Sequence, residues 1–160
     1  MSVHDFNVSE VLAFMPYDET FLACSWDWLN DKEIKAMTMT PDITREIQRE
    51  WFSQLNSRND YYVWGVACCG LPIGVVGLKH VDLAARQGEY FGYIGEKEYW
   101  GRGIGAKMID FIRGQAKQRG LETLSLIVSH HNERAIRLYL RYGFSAVEQT
   151  DKFWTMRITI

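Results

Sequence analysis

This 160-residue chain is short of cysteine and proline, with three of each, and has no excess of positive charge. Cys24, Cys68 and Cys69 form an odd set with two adjacent members, and no CxxC pair occurs. That pattern excludes a disulfide framework and a zinc–thiolate site, and predicts reduced thiols in a cytoplasmic protein with no metal. Basic residues number 18 against 20 acidic ones, for a net charge of -2. Nothing in that balance points to nucleic acid. The opening MSVHDFNVSE has no basic-then-apolar order, and no apolar run approaches ~18 residues, so neither a leader peptide nor a membrane span is expected. Pro16, Pro41 and Pro72 are scattered, and there is no repeat, low-complexity tract or linker. One domain over residues 1–160 is the expectation.

What is present is an ordinary hydrophobic fraction of 47%, arranged in readable periods. Residues 5–15 suggest a first strand. Asp18 to Leu29 reads as a helix, with Phe21, Leu22, Trp26 and Leu29 spaced for one face. Asp31 to Met37 follows as a short helix. Thr44 can cap a third, in which Ile47, Trp51, Phe52 and Leu55 recur at helical spacing. The period then changes to that of strands. YYVWGVACC and IGVVGLKHV, joined by Gly-Leu-Pro, predict a hairpin. Glu89 to Ile94 predicts another strand after a polar turn at 86–88. A helix is expected from about Gly103 to Gly120, a strand over 121–128, a helix over 132–142 ended by Gly143, and two strands near 144–149 and 153–160. The result is an α/β (α+β) chain with a mixed sheet of about seven strands and about four flanking helices. Its two strand–helix–strand crossovers imply local parallel pairing.

The stretch YWGRGIGAKMIDFI, residues 99–112, places Gly101, Gly103 and Gly105 at the entry to a helix. Glycine there costs backbone entropy. Helix N-termini offer unpaired N–H groups and the positive end of the helix dipole, and diphosphates bind such ends. Arg102, Gly103, Ile104, Gly105 and Ala106 therefore form a candidate anion cradle, with a tight strand-to-helix connection as the plainer alternative. A Walker A loop is excluded because Met108 follows Lys107. A dinucleotide fingerprint is excluded because the spacing is GxGxG and EKEYW separates it from the strand.

GRGIGA, followed by NERAIRLYLRYGF at 132–144, resembles the GNAT superfamily of N-acetyltransferases. The second block carries Asn132, Ala135, Leu138, Tyr139, Gly143 and Phe144 in the family's spacing. Trp100 departs from the family pattern, which has Gln or Arg there, and removes one polar contact to a pyrophosphate. The resemblance covers almost the whole chain and implies the GNAT fold, with acetyl-CoA as cosubstrate. It implies that the pantetheine arm lies beside the strand Glu89–Ile94, bonded by backbone around Ile94, Gly95 and Glu96, with Gly92 at a bulge. It also implies that Tyr139 protonates the departing thiolate. Asn132 either caps its helix or bonds the arm.

Acyl transfer further asks for a base. Glu89 matches a glutamate that some relatives use through water. His130, after the fifth strand, and His80, at the end of the third, are imidazoles that titrate in a useful range. Arg134, Arg137 and Arg141 make a basic helical stripe. The N-terminal half loosely resembles enzymes that acetylate an amino sugar on a nucleotide, through SWDWLNDKEIKAM and the later Trp51-Phe52. That resemblance implies a small-molecule amine acceptor of the UDP-4-amino-4,6-dideoxy-sugar type. Trp26, Trp28, Trp51 and Tyr61 are candidates to stack on a sugar or base, with His80 beside them, and core packing is the alternative for each tryptophan. Ribosomal-protein N-terminal, aminoglycoside or polyamine acetylation are alternatives, as is a non-catalytic acyl-CoA-binding module. A homodimer stays open.

Overall fold

The computed structural model describes residues 11–160. In chain order the elements are β1 (Leu12–Pro16), α1 (Glu19–Asn30), α2 (Lys32–Thr38), α3 (Arg45–Gln54), β2 (Tyr62–Cys68), β3 (Leu71–Asp82), β4 (Gln87–Ile94), α4 (Ile104–Gln118), β5 (Thr123–Ser129), α5 (Glu133–Tyr142), β6 (Ser145–Gln149) and β7 (Phe153–Thr159), with 3-10 turns at Leu55–Ser57 and Lys97–Tyr99. Of the expected first strand, 11–15 overlaps β1, while 5–10 lies outside the described residues.

Side chains chosen for the purpose start four of the five α-helices. Asp18 accepts from the amides of Thr20 and Phe21, Asp31 from those of Glu33 and Ile34, Thr44 from Ile47 and Asn132 from Ala135. Each such cap is worth about 1 kcal/mol. Gly103 precedes α4 with φ 78° and no side-chain cap among the described residues.

The seven strands form one sheet in the order β1-β2-β3-β4-β5-β7-β6. Only β4 and β5 pair in parallel. The crossover through α4 thus makes parallel neighbours, as expected. The crossover through α5 does not, because β7 inserts between β5 and β6 and pairs antiparallel with both. The β2–β3 turn is Cys69-Gly70 rather than Gly-Leu-Pro. Cys68 pairs with Leu71, and the two turn residues have φ 55° and 79°. Positive φ at both positions is the hairpin turn that suits strand twist. Gly88 lies inside β4, not in the turn before it.

Alternation divides the sheet into two faces. On one, α4 and α5 bury Ile104, Met108, Ile109 and Ile112 against Val76, Leu78, Tyr90, Leu124 and Leu126. Truncating one of these to alanine costs about 2–5 kcal/mol. On the other, Trp28 and Ile34 pack on Val75, beside Phe91 and Tyr93. The buried side of α1 is Phe21, Leu22, Ser25 and Trp28, so Trp26 sits off the inner face that its spacing suggested.

Candidate active site

β4 and β5 begin together and then part. They pair at Gln87↔Thr123, Gly88↔Leu124 and Glu89↔Ser125, and beyond Glu89 no pair joins them. On its other side β4 stays paired with β3 through Ile94. The Gly95 amide donates to the Ile73 carbonyl at 2.7 Å, and the Glu96 amide to the same oxygen at 3.2 Å. In an antiparallel ladder, residues alternate the edge to which their amide and carbonyl point. Odd-numbered β4 residues therefore face β3, and Tyr90, Gly92 and Ile94 turn their backbone groups toward the side from which β5 has departed. The result is a wedge with an open strand edge. Gly95 and Glu96, expected to bond a ligand, instead spend their amides on Ile73, and Ile94 is the member of that trio on the open edge.

Gly92 holds no bulge, because its register with Val76 is continuous with that of its neighbours. It is glycine for packing: a β-carbon there would lie 2.8 Å from the Tyr90 hydroxyl and 2.9 Å from Met108 Cε. At the far end of the wedge, Trp100 donates its indole N–H to the Ile94 carbonyl at 2.9 Å. Its ring also carries the Arg134 guanidinium at 5.5 Å and the Lys97 ammonium at 5.9 Å. The residue that departs from the family pattern thus braces β4 and gathers two cations.

Next to Trp100, Gly101 and Gly103 adopt φ 75° and 78°, and a β-carbon on either would meet no protein atom within 4 Å. Gly105 differs, since its β-carbon would stand against Leu138 of α5. Arg102 lies with its guanidinium 5.5 Å from the Tyr99 ring centre.

Tyr139 is half-buried on α5, edge-on to Tyr90 at 6.1 Å and to Phe144 at 5.7 Å. Burial pushes its phenol up to about 12, so it stays protonated at neutral pH. Asn132 caps α5 through the Ala135 amide at 3.3 Å, which favours the capping alternative.

On the opposite face of the sheet, Glu89 marks the point where the strands part. Its carboxylate, 12% exposed, meets His80 Nδ1 at 3.3 Å and Lys79 Nζ at 3.3 Å. Glu89 and His80 border a cavity of about 110 Å³ lined also by Gln87, Gly88, Thr123, Ser125 and Arg157. Ser125 pairs with both Glu89 and Arg157, so the three form one row across β4, β5 and β7. Gln87, Thr123, Ser125 and Arg157 were not legible as site residues. Their only sequence signal is strand alternation, which becomes informative once the register is known.

The other candidates divide. Trp51 contacts Tyr17 at 5.6 Å and Tyr61 at 5.8 Å, and the aromatic chain continues to Phe91, over whose ring Lys79 lies at 5.7 Å. Trp51 is thereby connected to the Glu89 group. Trp26 is not, being stacked with Arg45 at 4.9 Å. Trp28 is core, its indole donating to Glu96 at 2.9 Å. His130 is exposed beside His131, at 5.3 Å between rings, and is not among the residues lining the Glu89 cavity. Among the described residues no group of three His, Cys, Asp or Glu side chains is placed to hold a metal, and no helix is long and apolar enough to cross a membrane.

An open parallel wedge, a glycine-led helix end and a buried phenol stand where the resemblance to the GNAT superfamily expects its acetyl-CoA site. The model of the Acetyltransferase (GNAT) family matches residues 23–144, and the chain belongs to that family. It is accordingly an acyltransferase whose acyl donor is acetyl-CoA. No curated protein matches the sequence. Among solved structures, spermidine N-acetyltransferase from Vibrio cholerae, in complex with CoA and spermine, superposes with a TM-score of 0.84 at 18% identity, covering 94% of this chain and 96% of its own. The Campylobacter jejuni N-acetyltransferase PseH gives 0.70 at 14% identity, with 93% and 98% covered. RimL, a ribosomal L7/L12 alpha-N-protein acetyltransferase in complex with CoA, gives 0.79 at 14%, with 96% of each chain covered. At these identities the likeness establishes the shared fold.

Proposed function

We propose that this enzyme acetylates a primary amine of a small molecule, and that the acceptor is an amino sugar carried on a nucleotide. The observation that carries the amine-acetylation reading is the placement of Glu89 and Tyr139 by opposite faces of the same wedge. One end of the acceptor's amine fits the cavity beside Glu89, whose volume of about 110 Å³ suits a few atoms rather than a whole ligand. The Glu89–His80 pair takes a proton from the amine as its nitrogen attacks the thioester carbonyl. The C–S bond breaks, and Tyr139 supplies the proton that converts the thiolate to thiol. The open backbone at Tyr90, Gly92 and Ile94 pairs with the pantetheine amides as an added strand would. The amides of Ile104, Gly105 and Ala106 hold the diphosphate, with Arg102 and the Trp100-bound Arg134 adding charge.

The acceptor assignment rests on the resemblance of the N-terminal half and on the charge of the cavity. Arg157 lines it, and Lys79 pairs at 3.3 Å with Glu89, its single carboxylate. Such a lining suits an acceptor that carries its own negative charge better than a polyamine. RimL and the spermidine enzyme supply structural parallels for rivals of this assignment. The test is thiol release from acetyl-CoA with a UDP-linked 4-amino-4,6-dideoxy-sugar, spermidine, an aminoglycoside and N-terminal peptides. Fast turnover of the nucleotide sugar is expected. Turnover of peptides or spermidine without it overturns the acceptor assignment, and coenzyme binding with no thiol release from any amine returns the chain to a non-catalytic binding module.

A further inference from the structure

We infer that His80, not Glu89, is the proton acceptor in amine activation, and that Glu89 is the residue that positions it. The inference rests on the amine-acetylation reading above and deepens it. Three independent features meet at His80.

The first is its backbone. His80 has φ 51°, a left-handed conformation that strains a non-glycine residue and persists only where the surroundings enforce it. The enforcing feature is a register shift between Lys79 and Asp82, where β3 carries an irregularity opposite β4. Bulges of this kind re-aim a side chain. Here the side chain is brought to the cavity beside the end of the β4–β5 pairing.

The second is the partner. Nδ1 of His80 faces Glu89 Oε1 at 3.3 Å. A carboxylate accepts only, so the neutral ring beside it carries its hydrogen on Nδ1 and keeps its lone pair on Nε2. The arrangement is that of a base whose tautomer is fixed by an acid behind it. Glu89 itself is poorly placed to be the base. One oxygen is taken by His80 and the other by Lys79 at 3.3 Å, and the side chain is only 12% exposed. His80, at 71% exposed, has its second nitrogen available to an incoming amine.

The third is that no other imidazole among the described residues lines the cavity. His130 lies edge-on to His131 and is not among the residues lining the cavity. The charged groups around His80 are Lys79 on its own strand, Glu89 on β4, Arg157 on β7, Asp82 at the end of β3, and Asp60, which is paired with Arg58 at 2.9 Å. The step balances simply. The amine N–H bond breaks and its proton passes to Nε2, the N–C bond forms, the C–S bond breaks, and Tyr139 protonates the sulfur. The proton on His80 passes to solvent, and Tyr139 takes a proton back from solvent.

The test is the pH profile of kcat/KM, with the UDP-linked amino sugar or whichever panel amine turns over fastest. Asparagine tolerates the left-handed region, so His80→Asn keeps the local backbone. It should lower kcat/KM by ~10²-fold, the usual scale of general base catalysis, and abolish the acid limb of the profile. His80→Gly, also compatible with that φ, should regain rate on addition of free imidazole. Glu89→Gln should lower the plateau while the limb persists. Coenzyme affinity, measured by calorimetry, should be unchanged in all three. An H80N enzyme that keeps both rate and limb, or an E89Q enzyme that loses the limb while H80N keeps it, overturns the assignment. A wild-type enzyme inactive on every amine would instead overturn the reading beneath it.

Discussion

A β-carbon on Gly105 would stand 2.6 Å from Cδ2 of Leu138, whereas one on Gly103, two residues earlier, would meet nothing within 4 Å. The glycines at the helix entry therefore have different reasons to be there. Gly103 needs its positive φ and has open space where a side chain would begin, while Gly105 lets α5 pack on α4.

The two substitutions should separate accordingly. Gly103→Ala should cost about 1–2 kcal/mol in backbone strain and weaken coenzyme binding at least ~10-fold, because a methyl group then stands where the diphosphate docks. Gly105→Ala should cost about 1 kcal/mol as Leu138 shifts, with coenzyme affinity largely kept. Thermal melts and calorimetric titration of CoA read both effects. Equal losses of affinity would refute the division.

Gly95 is fixed by a ring rather than by a ligand. A β-carbon there would lie 2.1 Å from Trp28 Cδ2, and Trp28 is tied in place by its bond to Glu96. Gly95→Ala should destabilise by about 3 kcal/mol, the upper end for overpacking. Trp28→Phe should recover part of that loss in a double-mutant cycle, read by urea denaturation.

Trp100→Phe keeps an aromatic ring for Arg134 and Lys97 and deletes the donor to the Ile94 carbonyl. Loss of one hydrogen bond worth about 1 kcal/mol should raise the coenzyme Kd ~5-fold. The saturated rate kcat should stay near wild type, since the proton-transfer groups are untouched. A large fall in kcat at saturating coenzyme would show that Trp100 acts on the chemistry instead.

Tyr139→Phe should lower kcat by ~10²-fold with coenzyme affinity unchanged. The same residue makes a prediction about alkaline stability. Tyr17 and Tyr139 are both pushed up to about 12 by burial. An unfolded tyrosine titrates near 10, so between about pH 10 and pH 12 the unfolded chain releases protons that the folded chain retains. Stability is then full below pH 10 and falls as pH rises, by up to about 1.4 kcal/mol per pH unit for each residue. Urea midpoints at pH 9, 10 and 11 should fall, and less steeply in Tyr139→Phe. A slope indifferent to that substitution would mean the phenol is not the group being titrated.

The sequence by itself determined the local and the motif-borne parts of this protein. Periods of 3.6 and 2 placed the elements because each strand or helix advertises its own buried face. The glycine run marked the helix end, and the block at 132–144 marked Tyr139, since both depend on residues close in the chain. What only the tertiary structure decided is who stands beside whom. Strand alternation says that Glu89 has a face but not which strand lies next to it, and the insertion of β7 between β5 and β6 is what brings Arg157 into the row with Ser125 and Glu89. The same holds for Gly95 under Trp28, 67 positions away by the numbering, and for Gly105 under Leu138. His80 looked like a strand end on the page. It became a candidate base because a register shift in one ladder turned it toward a carboxylate on the next strand. Pairings of that kind are set by packing energy summed over distant residues, and no window of sequence contains it.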